Sequence, residues 1–473
     1  MNKTDKGLFI TDDGRNLLFT FILVSSLFLL WGFLNGMIDV MDKHFQDELG
    51  LTKAQSAWVQ FAHYLGYFLM SVPAGWLATK LGYKGGIITG LLLVAVGGFS
   101  FLPATYVNSM VHEGRVSPNT AFVAFLTGVC IVATGLTFLE TIANPYTTVL
   151  GQKRFAATRI NLAQSCNGVG WIIGPVVGSM FFYSKDAMGH NTGSQTLYVP
   201  YVASAVLVTV LAVIFYFASV PDIKIADEYH LDDRAAEVSH SIWSHPHFVL
   251  AVAAQFFYVA AQAGIFSFFI NYMIAEVPPI PPSWESGMTR VSAGAGFLQN
   301  WLSGWFHTAD GIVRLTDKGA ANLASVGLIC FLIGRFTGAG LLRRFSAHKI
   351  LGIYGTANVL MTLLVFFKLG WLSVVCVFLT YFFMSIMFPT IFAMGIFGLG
   401  ARGKRASSFI VMAIMGGALL PKLMGYVADK SNMSRGFAVP MFCFAFVAWY
   451  GFRWPQLSKA ESLHALPATG SSH

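Results

Sequence analysis

Long apolar runs, broken by short clusters of charge, glycine and proline, set the pattern of this chain from one end to the other. Windows of about 19 residues predict helices at roughly 16–41, 54–80, 84–105, 119–149, 158–183, 197–220, 247–276, 320–342, 349–368, 371–398, 404–427 and 436–453. Runs of this length can cross a hydrocarbon core ~30 Å thick. A backbone in lipid must satisfy its own hydrogen bonds, so these runs are read as helices. A polar stretch at 221–245, PDIKIADEYHLDDRAAEVSHSIWSH, separates six predicted helices from six more. The pattern therefore predicts an all-α membrane protein of twelve transmembrane helices. Its parts are an N-terminal bundle over 1–220, a linker over 221–245, a C-terminal bundle over 246–455 and a disordered tail over 456–473.

Composition removes the alternatives. Of 473 residues 55% are hydrophobic and only 11% charged, against roughly 25% charge in a soluble domain. The net charge of +8 does not point to nucleic acid, because the basic residues lie in short connections and form no patch. Placing both termini and the linker on one face gives that face 19 of the 30 Lys and Arg, among them Lys80, Lys84, Lys153, Arg154, Arg159, Arg335, Arg343, Arg344, Lys349, Arg402, Lys404 and Arg405. That asymmetry predicts cytoplasmic termini. The five cysteines all fall in apolar segments, with no zinc or disulfide spacing. No cleavable signal peptide is expected, and LPATG in the tail has no apolar segment after it to serve as a sorting signal. One connection is unusual: about 277–319 opens on PPIPP and contains GFLQNWLSGWFHTADGI, whose Gln299, Asn300, His307 and Asp310 argue against burial in lipid. It is read as an interfacial amphipathic helix or lid on the outer surface.

The halves echo each other. Gly75-x-Leu77-x-x-Lys80 ends in Lys84, and Gly340-x-Leu342-x-Arg344 ends in Lys349, each nine residues after its glycine and each after the second helix of its half. These loops resemble the signature of the major facilitator superfamily, which implies two pseudo-symmetric six-helix bundles around a central cavity. Further segments resemble the fucose:proton symporter family: Leu30-Trp31-Gly32-Phe33 through Asn35 to Asp39, Leu139-Glu140-Thr141-Ile142-Ala143-Asn144-Pro145, Asn161-Leu162-Ala163-Gln164 with Asn167, Gly334-Arg335-Phe336-Thr337-Gly338, Phe388-Pro389-Thr390 and Ser407-Ser408-Phe409. The resemblance covers nearly all helices and omits the 277–319 connection and the termini. It implies secondary active import of a monosaccharide with protons.

Buried charge is the best guide to a site, since an ionisable group at mid-bilayer costs about 2.5–3.5 kcal/mol on insertion scales. Two carboxylates qualify. Asp39 lies near the end of the first helix with Asn35 one turn earlier, although a solvated helix end would also suit it. Glu140 lies deep in the fourth helix, with Asn144 one turn later and Pro145 breaking the backbone ladder. Withdrawal from water penalises the charged form of a carboxyl, and symport needs a group that binds and releases a proton. A sugar also needs amides and an aromatic face. Candidates are Gln164 and Asn167 on the fifth helix, Gln60, His63 and Tyr64 on the second, and Gln255, Tyr258, Gln262 and Asn271 on the seventh, with Trp31, Phe266 and Phe388 as rings. Each seventh-helix residue taken alone could equally be interhelical glue. By resemblance, Glu140 carries proton coupling and Asp39 binds sugar, with a second titration open to it. Aligning Pro145 with Pro389 sets Met384 opposite Glu140, which puts the coupling chemistry in the N-terminal half. The chain departs from the fucose permease pattern at Phe266, where that pattern has tryptophan, and at Met387-Phe388, where it has Gln-Tyr. These changes favour another hexose or a deoxy sugar.

The expected function is a monosaccharide:proton symporter of a bacterial inner membrane, acting as a monomer in the bilayer, with the proton as coupling ion and no cofactor, metal or nucleic acid. A sodium-coupled carrier and a transporter-like sugar sensor are the alternatives. No nucleophile–base pair or phosphate loop supports an enzyme.

Overall fold

The computed structural model describes residues 7–11, 14–49, 58–182, 198–221, 241–294, 304–309 and 311–459. Nearly all of them are helical. The N-terminal half comprises α1 (Leu18–Leu49), α2 (Trp58–Phe99), α3 (Phe101–His112), α4 (Pro118–Val149), α5 (Ala156–Phe182) and α6 (Tyr198–Phe217). The C-terminal half comprises α7 (Pro246–Glu276), α8 (Pro282–Ala293), a hairpin of β1 (Phe306–Ala309) and β2 (Ile312–Leu315), then α9 (Asp317–Arg344), α10 (Ala347–Phe366), α11 (Trp371–Met384), α12 (Met387–Gly395), α13 (Gly403–Met412), α14 (Gly416–Lys430), α15 (Met433–Gly436) and α16 (Ala438–Ser458).

Among the described residues, ten helical stretches are long and apolar enough to cross a membrane. One of them, Phe61–Val111, runs 51 residues, about twice what a crossing needs. It turns at Gly82, whose φ of 72° suits a residue without a side chain. The remaining expected span corresponds to α5, whose 27 residues extend about 40 Å. Dividing the long stretch at Gly82 and adding α5 maps the twelve expected crossings onto the structure.

Helix starts follow local chemistry. Pro118, Pro246 and Pro282 stand in the first turns of α4, α7 and α8, where no backbone donor is lost. Ser117 and Thr316 cap α4 and α9 by accepting from Thr120 and Gly319 amides. Small residues then set the packing. On α1, Gly32 and Gly36 meet the backbone of Asn167 and Trp171 on α5, and Gly170 and Gly174 return the contact against α1. A side chain at any of the four would collide with backbone, so these helices approach as lipid-embedded helices do when nothing larger intervenes.

Three expectations need correcting. Arg159 and Arg335 are not loop cations. Arg159 is buried at the start of α5, donating to the carbonyls of Thr147, Thr148, Gly151, Gln152 and Leu8. It thereby satisfies the end of α4, which has no further amide to offer. Arg335 is buried inside α9. The 277–319 connection is not one amphipathic helix: α8 is followed by an antiparallel hairpin, with Ile280 bonded to Val313 and Glu285 accepting from Thr308 at 2.9 Å. It docks on its own half through Trp284, whose ring lies 5.2 Å from that of Trp371. Trp301, Gln299, Asn300 and Asp310 lie outside the described residues, as do most of the 221–245 linker and all of the tail beyond Lys459.

Candidate substrate and coupling site

A group of the buried polar side chains gathers where the two halves meet, around Glu140, Asn144, Asn161, Gln164, Arg335 and Ser407. Glu140, in the middle of α4, is 1% exposed, and neither carboxylate oxygen has a hydrogen bond of good geometry from a described group. The Tyr67 hydroxyl of α2 faces it and also faces Asn35 of α1. That hydroxyl accepts from Trp31 Nε1 at 2.7 Å, which leaves its own hydrogen for Glu140 or for the unpartnered Asn35 Oδ1. His63 packs its ring 4.9 Å from Tyr67, one turn along α2. Three helices thus converge on one carboxyl group.

One turn further, Asn144 Oδ1 accepts from Gln164 Nε2 of α5 at 3.0 Å, while Asn144 Nδ2 has no hydrogen-bond partner among the described residues. Gln164 in turn receives Arg335 from the other half. The guanidinium donates to the Gln164 backbone carbonyl and, at 3.2 Å, to its Oε1. It also lies 4.6 Å from the Phe331 ring and beside Tyr258. A chain of polar contacts therefore leads from next to Glu140 across the seam to the one cation buried against it among the described residues.

Two prolines, Pro145 inside α4 and Pro389 in the first turn of α12 after the break from α11, explain part of this wiring. Pro145 has no N–H, so the carbonyl four residues earlier, Thr141, loses its helical partner. Ser407 Oγ of α13 donates to it across the seam at 2.7 Å. Pro389 likewise frees the Ser385 carbonyl, and Arg335 Nε donates there at 3.1 Å. The same hydroxyl of Ser407 also has the Lys404 carbonyl within 2.8 Å, so its single hydrogen has one acceptor in its own helix and one in the opposite half. Asn161 of α5 adds a bond to Thr390 Oγ1 at 3.2 Å.

From the C-terminal half, α7 presents Gln255 and Tyr258, both fully buried, with both Gln255 amide atoms and the Tyr258 hydroxyl without a hydrogen-bond partner among the described residues. Tyr258 meets the Phe388 ring edge-on at 6.4 Å. Not every expected residue joins the site. Asn167 Nδ2 donates to the Phe28 carbonyl at 3.3 Å and ties α5 to α1. Phe266 stacks on Tyr381 at 4.9 Å within its own half, Gln262 is half-buried beside it on α7, and Asn271 is exposed. Tyr64 sets its hydroxyl against Gly417 of α14. Asp39 and Gln60 lie on α1 and α2, but their side chains fall outside the described residues. Tyr67, Arg335 and Ser407 were missed as site residues. Tyr67 was detectable from its step of four after His63. Arg335 was detectable because it falls inside the predicted 320–342 helix and not in a loop.

The set left unpartnered among the described residues is chemically coherent: a carboxylate, three amides and a phenol, with Trp31 and Phe388 as rings. Mixed donors and acceptors beside aromatic faces suit a polyhydroxylated ligand. At the end of the molecule carrying the basic loops the halves are in contact, with Gly75 against Ser408 and the Lys404 ammonium 4.1 Å from the Tyr83 ring.

Comparison with known proteins agrees with this architecture. The family profile of the Major Facilitator Superfamily matches residues 17–316. The chain is 34% identical to the L-fucose-proton symporter of Escherichia coli (strain K12) over 453 residues, covering 92% of each. It is 30% identical to the glucose/galactose transporter of Brucella abortus over 443 residues, covering 93% of this chain and 95% of the relative. The crystal structure of the superfamily transporter FucP in its outward conformation superposes with a TM-score of 0.73 at 32% identity, over 93% of this chain and 99% of that one. Its long apolar helices, its buried seam and these relatives identify the chain as a member of the major facilitator superfamily, in the fucose:proton symporter family, and so as a transporter and not an enzyme.

Proposed function

We propose that this protein imports a monosaccharide by proton symport, through alternating access of a site between its halves. The observation that carries the reading is Glu140: a carboxyl buried without a protein partner of good geometry, facing Tyr67, and one turn from the Asn144–Gln164–Arg335 chain that reaches the other half. A proton arriving at Glu140 removes the charge that water would otherwise have to solvate, so the loaded site can be closed from both sides at lower cost. Asn35, Asn144, Gln255 and Tyr258 supply sugar contacts, with Trp31 against the ring face and Asp39 as the second acid. The relatives bear the names of fucose–proton and glucose/galactose carriers, which supports a hexose or deoxyhexose. The setting is the bacterial inner membrane, with the basic end cytoplasmic and one chain sufficient.

Sugar uptake into proteoliposomes, driven in turn by a proton gradient and by a sodium gradient, tests the coupling. Proton-driven accumulation is expected, and uptake that responds to sodium alone would reject it. Glu140→Gln should abolish accumulation against a gradient while sugar exchange at equal concentrations continues. Loss of exchange as well would move Glu140 into the sugar site.

A further inference from the structure

The repeated glycine–basic loop has two copies with different surroundings. In the first, Gly75 packs on Ser408 and on the Lys404 backbone of the opposite half, so that even a methyl group there would collide. In the second, nothing lies within 4 Å of the position a side chain would take on Gly340. Pseudo-symmetry between the halves pairs α5 with α9 as it pairs α13 with α2, and α5 meets α9 where Arg335 bonds to Gln164 and Leu332 packs on Gly168. Toward the basic end of the same helix pair a cavity of about 1160 Å³ opens, lined by Arg154 and Phe155 ahead of α5 and by Thr337, Gly340, Arg343 and Arg344 of α9.

Three features define what fits. Three guanidinium groups from two halves line the cavity, and no acidic side chain is among its described lining residues. Guanidinium groups recognise phosphate in a forked geometry that ammonium groups do not match. Along the same outer face of α9, Ile333 and Phe336 are 51% and 52% exposed, an apolar strip that belongs against acyl chains in a membrane protein. Phosphate-binding groups at the top of a lipid-facing strip are the two ends of an amphiphile.

We propose that this cavity is a binding site for an anionic phospholipid headgroup, held between the two halves at the basic end of the molecule. Arg343 and Arg344 take the phosphate from α9, Arg154 closes on it from the α4–α5 connection, and the acyl chains follow Ile333 and Phe336. Because both halves contribute, the lipid binds best in the conformation in which the basic end is closed, and its presence favours that conformation. The proposal rests on the membrane reading of the fold and not on which substrate is carried.

Native mass spectrometry of the detergent-purified full chain, titrated with phosphatidylglycerol or phosphatidylcholine, tests it. Wild-type protein is expected to retain phosphatidylglycerol preferentially. The double variant Arg343→Gln/Arg344→Gln should lose about fivefold or more of that retention. Gly340→Phe leaves all three charges, fills open space and suits a helix better than glycine, and it should lose as much. A control with Arg115→Gln, Arg290→Gln and Arg435→Gln removes three exposed charges elsewhere and should retain the lipid. Equal retention by wild type and Gly340→Phe would reduce the effect to general charge attraction and overturn the site. Displacement of the lipid by equimolar inorganic pyrophosphate would assign the cavity to soluble phosphates and overturn the lipid reading. Thermal unfolding of each variant identifies any that misfold, and Gly340→Phe decides the matter if the arginine variant is among them.

Discussion

Single residues act here through what burial leaves unsatisfied. Arg335 satisfies the carbonyl freed by Pro389, the Gln164 carbonyl and the Gln164 side chain at once. Removing it leaves buried acceptors without donors, a cost of about 1–3 kcal/mol for each one orphaned. Arg335→Gln is therefore expected to lower the maximal transport rate at least about tenfold. Arg335→Lys should restore little of it, because the three donors of an ammonium radiate from one nitrogen and cannot span acceptors that the guanidinium reaches from two. Rates near wild type for the lysine variant would reduce Arg335 to a general positive charge. Glu140 was legible in the sequence as a candidate because an acid between Leu139 and Thr141 is costly to bury in a lipid-embedded helix, although a hydrogen-bonded structural acid would read the same way. Arg335 was passed over because counting charges by side treats every arginine near a helix end as solvated; its place inside the predicted 320–342 helix argued otherwise, and the packing of α5 on α9 shows which groups it serves.

At the level of elements, prolines and glycines do opposite work. Pro145 and Pro389 each free one carbonyl, and the structure satisfies both with side chains from neighbouring helices. The glycines let helices meet at backbone distance, within a half at Gly32 and Gly174 and between halves at Gly75. Gly75→Leu should oppose contact with α13, at about 1–3 kcal/mol of overpacking. Because 1.4 kcal/mol is a factor of ten, closure at the basic end would become roughly five- to a hundredfold rarer. Sugar affinity measured by calorimetry on the protein held open at that end would be unchanged, while uptake falls. Equal loss of affinity would mean that the substitution has damaged the site itself. The nine-residue step was readable from sequence. That Gly75 is packed and Gly340 is not could not be read there, since both lie in the same local pattern.

For the whole molecule, alternating access requires the contacts at the basic end to break and re-form in every cycle. Gly75→Cys with Ser408→Cys, in a background lacking the five native cysteines, should cross-link on oxidation, stop uptake and recover it with reductant. Uptake that survives complete cross-linking would exclude opening at this seam. The sequence by itself determined the membrane class, most helix boundaries, the repeat and Glu140 as a candidate, because lipid imposes length, hydropathy and the cost of charge directly on the order of residues; the expected ends at 41 and 105 fall short of Leu49 and His112. Only the tertiary structure decided that Tyr67 faces Glu140, that Arg335 belongs to the seam, that Asn167 ties helices together, and that one basic loop is packed while its repeat borders a cavity. Those facts depend on which helices become neighbours, and in a bundle that is set by the sum of many small packing contacts and not by any local run of residues.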